Sequence, residues 1–279
     1  MTDQPRRAHD CTPPPVVGPA RIFALYANER NWLAFSRPHL PLAVPVVGTV
    51  GWQAFLVLAD AAECCIVAVP RHPPAALLDN LQRFRNGHPG AALVLIAEGP
   101  LPPGAGKWGD VVRPPLRAER LWPAIQRATT RALLARAAMR FEQMPLVPHT
   151  LRRALATLCR ATEPIRSVTE LAHAVGCHRR TLWYHWQRAS VWRGAVRLED
   201  VVDWVLLLHA ASSACQPIPR TAIPGALGIH RYTLRRILSD FAGLRLRDLA
   251  PDACPRIRDL FQAAILEPLQ HRARSTEPG

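Results

Sequence analysis

Lysine is nearly absent from this chain of 279 residues: Lys107 is its only lysine, so 34 of its 35 basic side chains are arginines. Acids are few as well, 21 against those 35, which leaves a formal charge of 35 − 21 = +14. Such an excess points to an anionic partner, and the planar fork of arginine suits phosphate and guanine edges better than an ammonium does. Solvated surface arginines are the plainer reading, and charge by itself does not separate the two. None of the seven cysteines forms a C-x-x-C pair, and the neighbours Cys64 and Cys65 suit neither a zinc knuckle nor a redox motif. They read as buried small apolar residues of a reducing compartment. A long unbroken apolar run is missing too. Leu40 to Ala59 carries no charge over a length that could span a bilayer, but Pro41, Pro45, Gly48, Gly51 and Gln53 split it into a strand, a turn and a helix. The polar, Pro-rich opening MTDQPRRAHDCTPPP is not a signal peptide. A cytoplasmic, nucleoid-associated protein with no membrane contact is therefore expected. At 49% hydrophobic content, disorder along the whole chain is excluded.

Catalytic signatures are lacking as well. There is no G-x-S-x-G, no Walker motif and no pair of acids near a strand end. The Pro/Gly loop GPLPPGAGKWG, Gly99 to Gly109, fails the P-loop pattern at Leu101 and at Trp108, where the first Gly and the magnesium-binding Ser or Thr belong. It reads as a surface loop. His173, Cys177 and His178 are close in sequence, yet they span a helix and a turn without a fourth ligand. The expectation is no enzyme, no cofactor and no metal.

What is there divides in two. After a Pro-rich tail over 1–19, the apolar runs Ile22–Ala27, Leu42–Val47, Cys64–Val69, Ala91–Ala97 and Asp110–Val112 read as strands. Continuous runs of this kind are what a parallel sheet covered on both faces requires. Helices are expected between them at Asn31–His39, Gly51–Ala62 and Pro74–Asn86, and from Arg117 to Glu142, ending before Pro145 and Pro148. Five βα units in about 110 residues imply a small doubly wound domain over 20–128. The last helix runs on as a connector over 129–149. Its stripe Leu121, Ile125, Ala128, Ala132 and Ala135 could serve a partner, such as a second copy, or pack on its own domain. From 150 to 269 only amphipathic stretches broken by Gly or Pro occur, so this half should be all helical, with a second tail over 270–279. From Thr150 to Gly279 there are 19 arginines against 11 acids, +8, and the residues before Thr150 hold the remaining +6.

Within the helical half, SVTELAHAVGCHRRTLWYHWQRA, Ser167 to Ala189, is the most informative segment. Leu171, Ala172 and Val175 share one face of a short helix, Gly176 allows a tight turn, and small Ala172 lets a second helix approach. That second helix places Leu182, His185 and Trp186 inward. His178, Arg179, Arg180, Trp183, Tyr184 and Gln187 are left outward, a polar and aromatic edge suited to a major groove. Trp183 reads equally as a packing residue against a neighbouring helix, Trp186 and Trp204 as core, and His185 as an accommodated core histidine. A second unit, Pro217 to Gly243, repeats the pattern with Gly228, 228 − 176 = 52 residues on. Leu234, Ile237 and Leu238 point inward, and His230, Arg231, Tyr232, Arg235, Arg236 and Ser239 outward.

Two units in register resemble the AraC/XylS class of bacterial transcription regulators. The likeness covers about Leu151 to Leu249. Arg197 to Ala214 stands for the family's connector helix, and FAGLRLRDL, Phe241 to Leu249, is similar to its ending. The resemblance implies double-stranded DNA as partner, read by the outward residues of both units, with a homodimer and RNA polymerase as further partners. One departure is Pro224, standing where the first unit has Ala172. It should shorten the supporting helix and loosen the second unit's docking, or confine that unit to backbone phosphate.

DVVRPPLRAERL, Asp110 to Leu121, makes the first half resemble the receiver domain of response regulators, with Arg113-Pro114 at the family's Lys-Pro position. The family's chemistry is missing. The third strand ends in Val69-Pro70-Arg71 where a phosphoacceptor Asp belongs, the fourth at Ala97 in place of a hydroxyl residue, and only Asn28 and Glu29 follow the first. The expected fold is thus a degenerate α/β receiver-like (flavodoxin-like) domain followed by an all-α domain with two helix-turn-helix units. Control without aspartyl phosphorylation follows, and a small anion near Arg71 and Arg113 is one alternative input. The competing function is a protein-interaction or dimerisation module, or a non-specific nucleoid-binding surface.

Overall fold

The computed structural model describes residues 23–27, 46–145, 147–189 and 196–269. The expected helix Asn31–His39, the start of the second strand and both tails lie outside them.

Five strands form one parallel sheet: β1 (Phe23–Tyr26), β2 (Val46–Thr49), β3 (Cys64–Val69), β4 (Leu93–Ala97) and β5 (Asp110–Val112), in the order β2-β1-β3-β4-β5. That order is the flavodoxin-like doubly wound topology of receiver domains. The second strand continues past its apolar run to Thr49, because pairing with β1 aligns Phe23 with Val46 and Tyr26 with Thr49. Alternation along β3 divides the core. Cys64 and Ile66 face a cluster with Leu121 and Ile125, while Cys65, Val67 and Val69 face Phe55, Leu81 and Phe84. The second of these faces is covered by α1 (Trp52–Ala61) and α2 (Ala75–Gly87).

The other face is covered by α3 (Ala118–Glu142), one helix of 25 residues. Leu121, Ile125, Ala128 and Ala132 pack on the sheet, so the stripe that could have served a partner is used within its own domain, with Ala135 half-buried beyond it. From Leu133 onward the same helix joins a different core: Leu133, Leu134, Ala137, Ala138 and Phe141 lie among the helices of the second half. The stretch read as a connector is therefore a shared spine.

The second half is helical throughout its described residues. It comprises α4 (His149–Arg160), α5 (Val168–Ala174), α6 (Arg179–Arg188), α7 (Leu198–Ala214), α8 (Ile223–Ala226), α9 (Arg231–Ile237) and α10 (Cys254–Phe261), the last continued by a π-helical stretch, Gln262–Leu266. Seventeen-residue α7 is buried over most of its circumference, from Leu198 through Val201, Val205 and Leu208 to Ala211. A helix apolar on nearly every side belongs at the centre. Trp204 meets Phe241 at 5.1 Å and Phe261 at 6.3 Å between ring centroids, both edge-on.

Side chains also lock the two halves together. Arg258 of α10 is only 4% exposed and donates to Glu63, just ahead of β3, at 2.9 Å and to Gln126 of α3 at 2.7 Å. Trp122 Nε1 donates to Asp252 at 2.8 Å, and Arg127 bridges Asp110 at 3.1 Å to the Cys215 carbonyl at 2.6 Å.

Candidate nucleic-acid interface

The two repeated units are superimposable bond by bond in the sequence offset. In the first, backbone N–H groups of Val175, Gly176 and Cys177 donate to the carbonyls of Leu171, His173 and Ala172. In the second, Leu227, Gly228 and Ile229 donate to Ile223, Gly225 and Pro224. Each residue is the first unit's number plus 52. The next helix opens alike in both, Leu182 donating to His178 and Leu234 to His230, each at 3.3 Å. Both glycines have left-handed backbones, φ +68° at Gly176 and +65° at Gly228, which a side chain at Cβ disfavours.

This register explains Pro224. Its supporting helix is indeed short, four residues of α8 after a 3₁₀ turn over Arg220–Ala222. Yet the motif uses the carbonyl at this position, which proline keeps, and proline near a helix start loses no hydrogen bond. The expected loose docking is not found: Ile223, Leu234, Ile237 and Leu238 are fully buried.

Each outward residue of the first unit is exposed: His178, Arg179, Arg180, Trp183 at 53%, Tyr184 at 50% and Gln187. So the evenly weighed Trp183 faces out, whereas Trp186 and Trp204 lie in the core and His185 is half-buried. Arg188 lies over the Tyr184 ring, 5.2 Å from its centroid, and donates to its hydroxyl. Ser167 caps α5 by accepting from the Glu170 N–H at 3.1 Å. In the second unit His230, Arg231, Tyr232 at 71%, Arg235 and Arg236 are exposed, and His230 Nδ1 accepts from the Tyr232 N–H to cap α9.

The arginines are not equivalent. Arg179 reaches Glu199 of α7 at 3.4 Å, and Arg236 reaches Asp203 of α7 at 2.8 Å and Asp240 at 3.5 Å. Burial pushes the Asp203 carboxyl above its ordinary range in spite of that arginine. Arg180, Arg231 and Arg235 have no acidic partner among the described residues. Sequence reading missed three more. Arg220, Arg245 and Arg247 line, with Arg231 and Arg235, a cleft of about 520 Å³ beside α9. Arginines at 245 and 247, on alternate residues after the second unit, were the available signal. Arg166 was missed as well: it pairs with Glu170 at 2.9 Å and donates to the Gly228 carbonyl at 3.3 Å, tying the first unit to the second unit's turn.

In a separate cleft of about 910 Å³ between β5, α3 and the end of α7, Arg113 lies with Arg120 and Arg127. Arg71, which was expected to share a site with Arg113, is not in its wall. The Arg71 backbone is packed against Gly99 so closely that a Cβ there would meet its carbonyl at 2.6 Å. Asp110 is held at the opposite, N-terminal end of β5 by Arg127 at 3.1 Å and Arg131 at 2.8 Å. Among the described residues no three His, Cys, Asp or Glu side chains gather as a metal site. No helix among them is long and apolar enough to cross a membrane.

Fold and site together define an α/β receiver-like domain joined to a helical domain that carries two matched helix-turn-helix units and an arginine-rich edge. No family model matches the chain, and no curated protein does. Among solved structures it is similar to the response regulator StyR, known at low resolution, with 15% identity over 66% of this chain and 97% of that one and a TM-score of 0.35. A likeness at that level bears on neither family nor function.

Proposed function

We propose that this protein is a sequence-specific DNA-binding transcriptional regulator in which the exposed edges of α6 and α9 meet duplex DNA. The observation that carries the reading is the 52-residue register, with the same turn bonds, the same left-handed glycine and the same outward basic and aromatic edge in both units. Arg180, with Arg179, Trp183, Tyr184 and Gln187, reads base edges from the first unit. Arg231, Arg235 and the arginines of the neighbouring cleft hold phosphate at the second. The receiver-like half is a docking platform, since its third strand ends in Val69-Pro70-Arg71 without the Asp that would accept phosphate.

Selection of bound duplexes from a random pool, followed by gel shift across a salt series, tests this. A preferred site should emerge, with affinity falling as salt rises. Arg180→Ala should cost about 1–3 kcal/mol at that site. Weak and equal binding to all duplexes would remove sequence-specific regulation.

One observation favours a protein-interaction module instead: Arg179 and Arg236 are already held by Glu199 and Asp203. A pull-down that recovers a protein partner from an extract while no duplex is retained would select that reading.

A further inference from the structure

Cys215 closes α7 as its C-terminal cap and Cys254 is the first residue of α10. Although 39 residues apart, their Sγ atoms lie 3.5 Å from each other in the core. No other two described cysteines bring their sulfurs into contact. A disulfide has an Sγ–Sγ length of about 2.05 Å, so closing this pair needs the two sulfurs to approach by only about 1.5 Å. Both residues are nearly inaccessible from outside, Cys215 at 4% and Cys254 at 0% exposure. Cys215 nevertheless forms part of the wall of the 910 Å³ cleft at the junction of the two halves, which admits a molecule the size of peroxide.

We propose that Cys215 and Cys254 are a redox modification site, a dithiol that hydrogen peroxide entering by the cleft converts to an intramolecular disulfide joining α7 to α10. The geometry assigns the roles. Cys215 lies in the cleft wall, whereas Cys254 is closed off behind it and donates its S–H to the Ala211 carbonyl at 3.4 Å. Cys215, giving up its proton, attacks one peroxide oxygen, the O–O bond breaks, and the departing hydroxide takes that proton to leave as water. Cys215 is then a sulfenic acid. Cys254 attacks its sulfur, the S–O bond breaks, and the displaced hydroxide leaves as water with the Cys254 proton. Two thiols and one peroxide thus give one disulfide and two waters.

The bond would act on the joint of the molecule. The Cys215 carbonyl accepts from Arg127 of α3, and α7 carries the Glu199 and Asp203 that hold an arginine from each repeated unit. The site does not depend on what those units bind.

The test treats the reduced full-length chain with hydrogen peroxide in native buffer, blocks free thiols with N-ethylmaleimide and maps peptides by mass. Of the seven cysteines, two should be lost and five stay free, with a linked peptide joining Cys215 to Cys254 that dithiothreitol reverses. In Cys254→Ser, the linked peptide should vanish and dimedone should label Cys215, which a purely structural cysteine would not show. The proposal is overturned if peroxide leaves both thiols free in the folded wild-type chain, links either of them to another cysteine, or joins them only in denaturant.

Discussion

His209, on central helix α7, shows how a single residue sets a pH limit. It is mostly buried, its Nε2 has no hydrogen-bond partner among the described residues, and burial pushes its pKa below the ordinary 6.5. The folded protein thus keeps it neutral, while the unfolded chain takes up a proton as pH falls through about 6.5. Below that pH the unfolded state binds more protons, so stability falls with acidification. Thermal melts at pH 8 and pH 5.5 should show a drop in Tm that is smaller in His209→Leu; an equal drop in both proteins would mean that His209 is not responsible. Trp204, on the same helix, answers to packing instead. At 4% exposure between Phe241 and Phe261, its replacement by Ala should cost about 3–5 kcal/mol, read as a lower urea midpoint at unchanged slope. Trp204 was legible as core from the apolar run around it. His209 was not, because a histidine among leucines in sequence does not tell whether its second nitrogen finds a partner.

At the scale of elements, the turns of the two units offer a matched comparison. Gly176→Ala and Gly228→Ala each force a side chain into a left-handed backbone, at about 1–2 kcal/mol. They differ in surroundings. A Cβ at Gly176 meets nothing within 4 Å, while at Gly228 it lies 2.6 Å from the Arg166 guanidinium, which must swing away. Denaturation should therefore find similar losses of stability, since the far end of an arginine moves readily. Only Gly228→Ala should break the link from the first unit to the second unit's turn. Hydrogen exchange at the α5 N-terminus would report it, and faster exchange in Gly176→Ala as well would contradict the assignment. Both turns could be read from sequence, because the glycine and its flanking apolar positions repeat at one offset. The tolerance of Pro224 could not. Sequence shows the lost N–H but not that the motif uses the carbonyl. The strands were legible for a similar reason, CCIVAV and the apolar LVLIA of β4 needing cover on both faces, whereas the end of β2 at Thr49 depends on its register with β1.

For the whole molecule, the +14 charge resolves into different uses of arginine. Some staple the fold by donating to backbone carbonyls: Arg136 to Gly90 at 2.8 Å, Arg85 to Ala91 at 3.1 Å, and Arg153 to Val175 beside the first turn. Others, such as Arg180 on α6 and Arg231 and Arg235 on α9, stay exposed. Composition cannot make this division, since it depends on which carbonyls and acids the fold brings within reach. Arg258 is the extreme of the first kind, a cation almost fully buried where α10 meets α3 and the segment ahead of β3. Removing one partner of a buried pair leaves the other charge uncompensated, so Arg258→Ala should cost about 3–5 kcal/mol. Glu63→Gln should cost less, because an amide oxygen can still accept from the guanidinium without carrying charge. Both substitutions act at the contact between halves. If α3 and this contact together make the protein one cooperative unit, wild type should unfold in a single transition and Arg258→Ala in two, the helical half separating from the α/β half. Calorimetry distinguishes the cases: a single, merely lowered transition in Arg258→Ala would show that the 25-residue spine alone couples the halves.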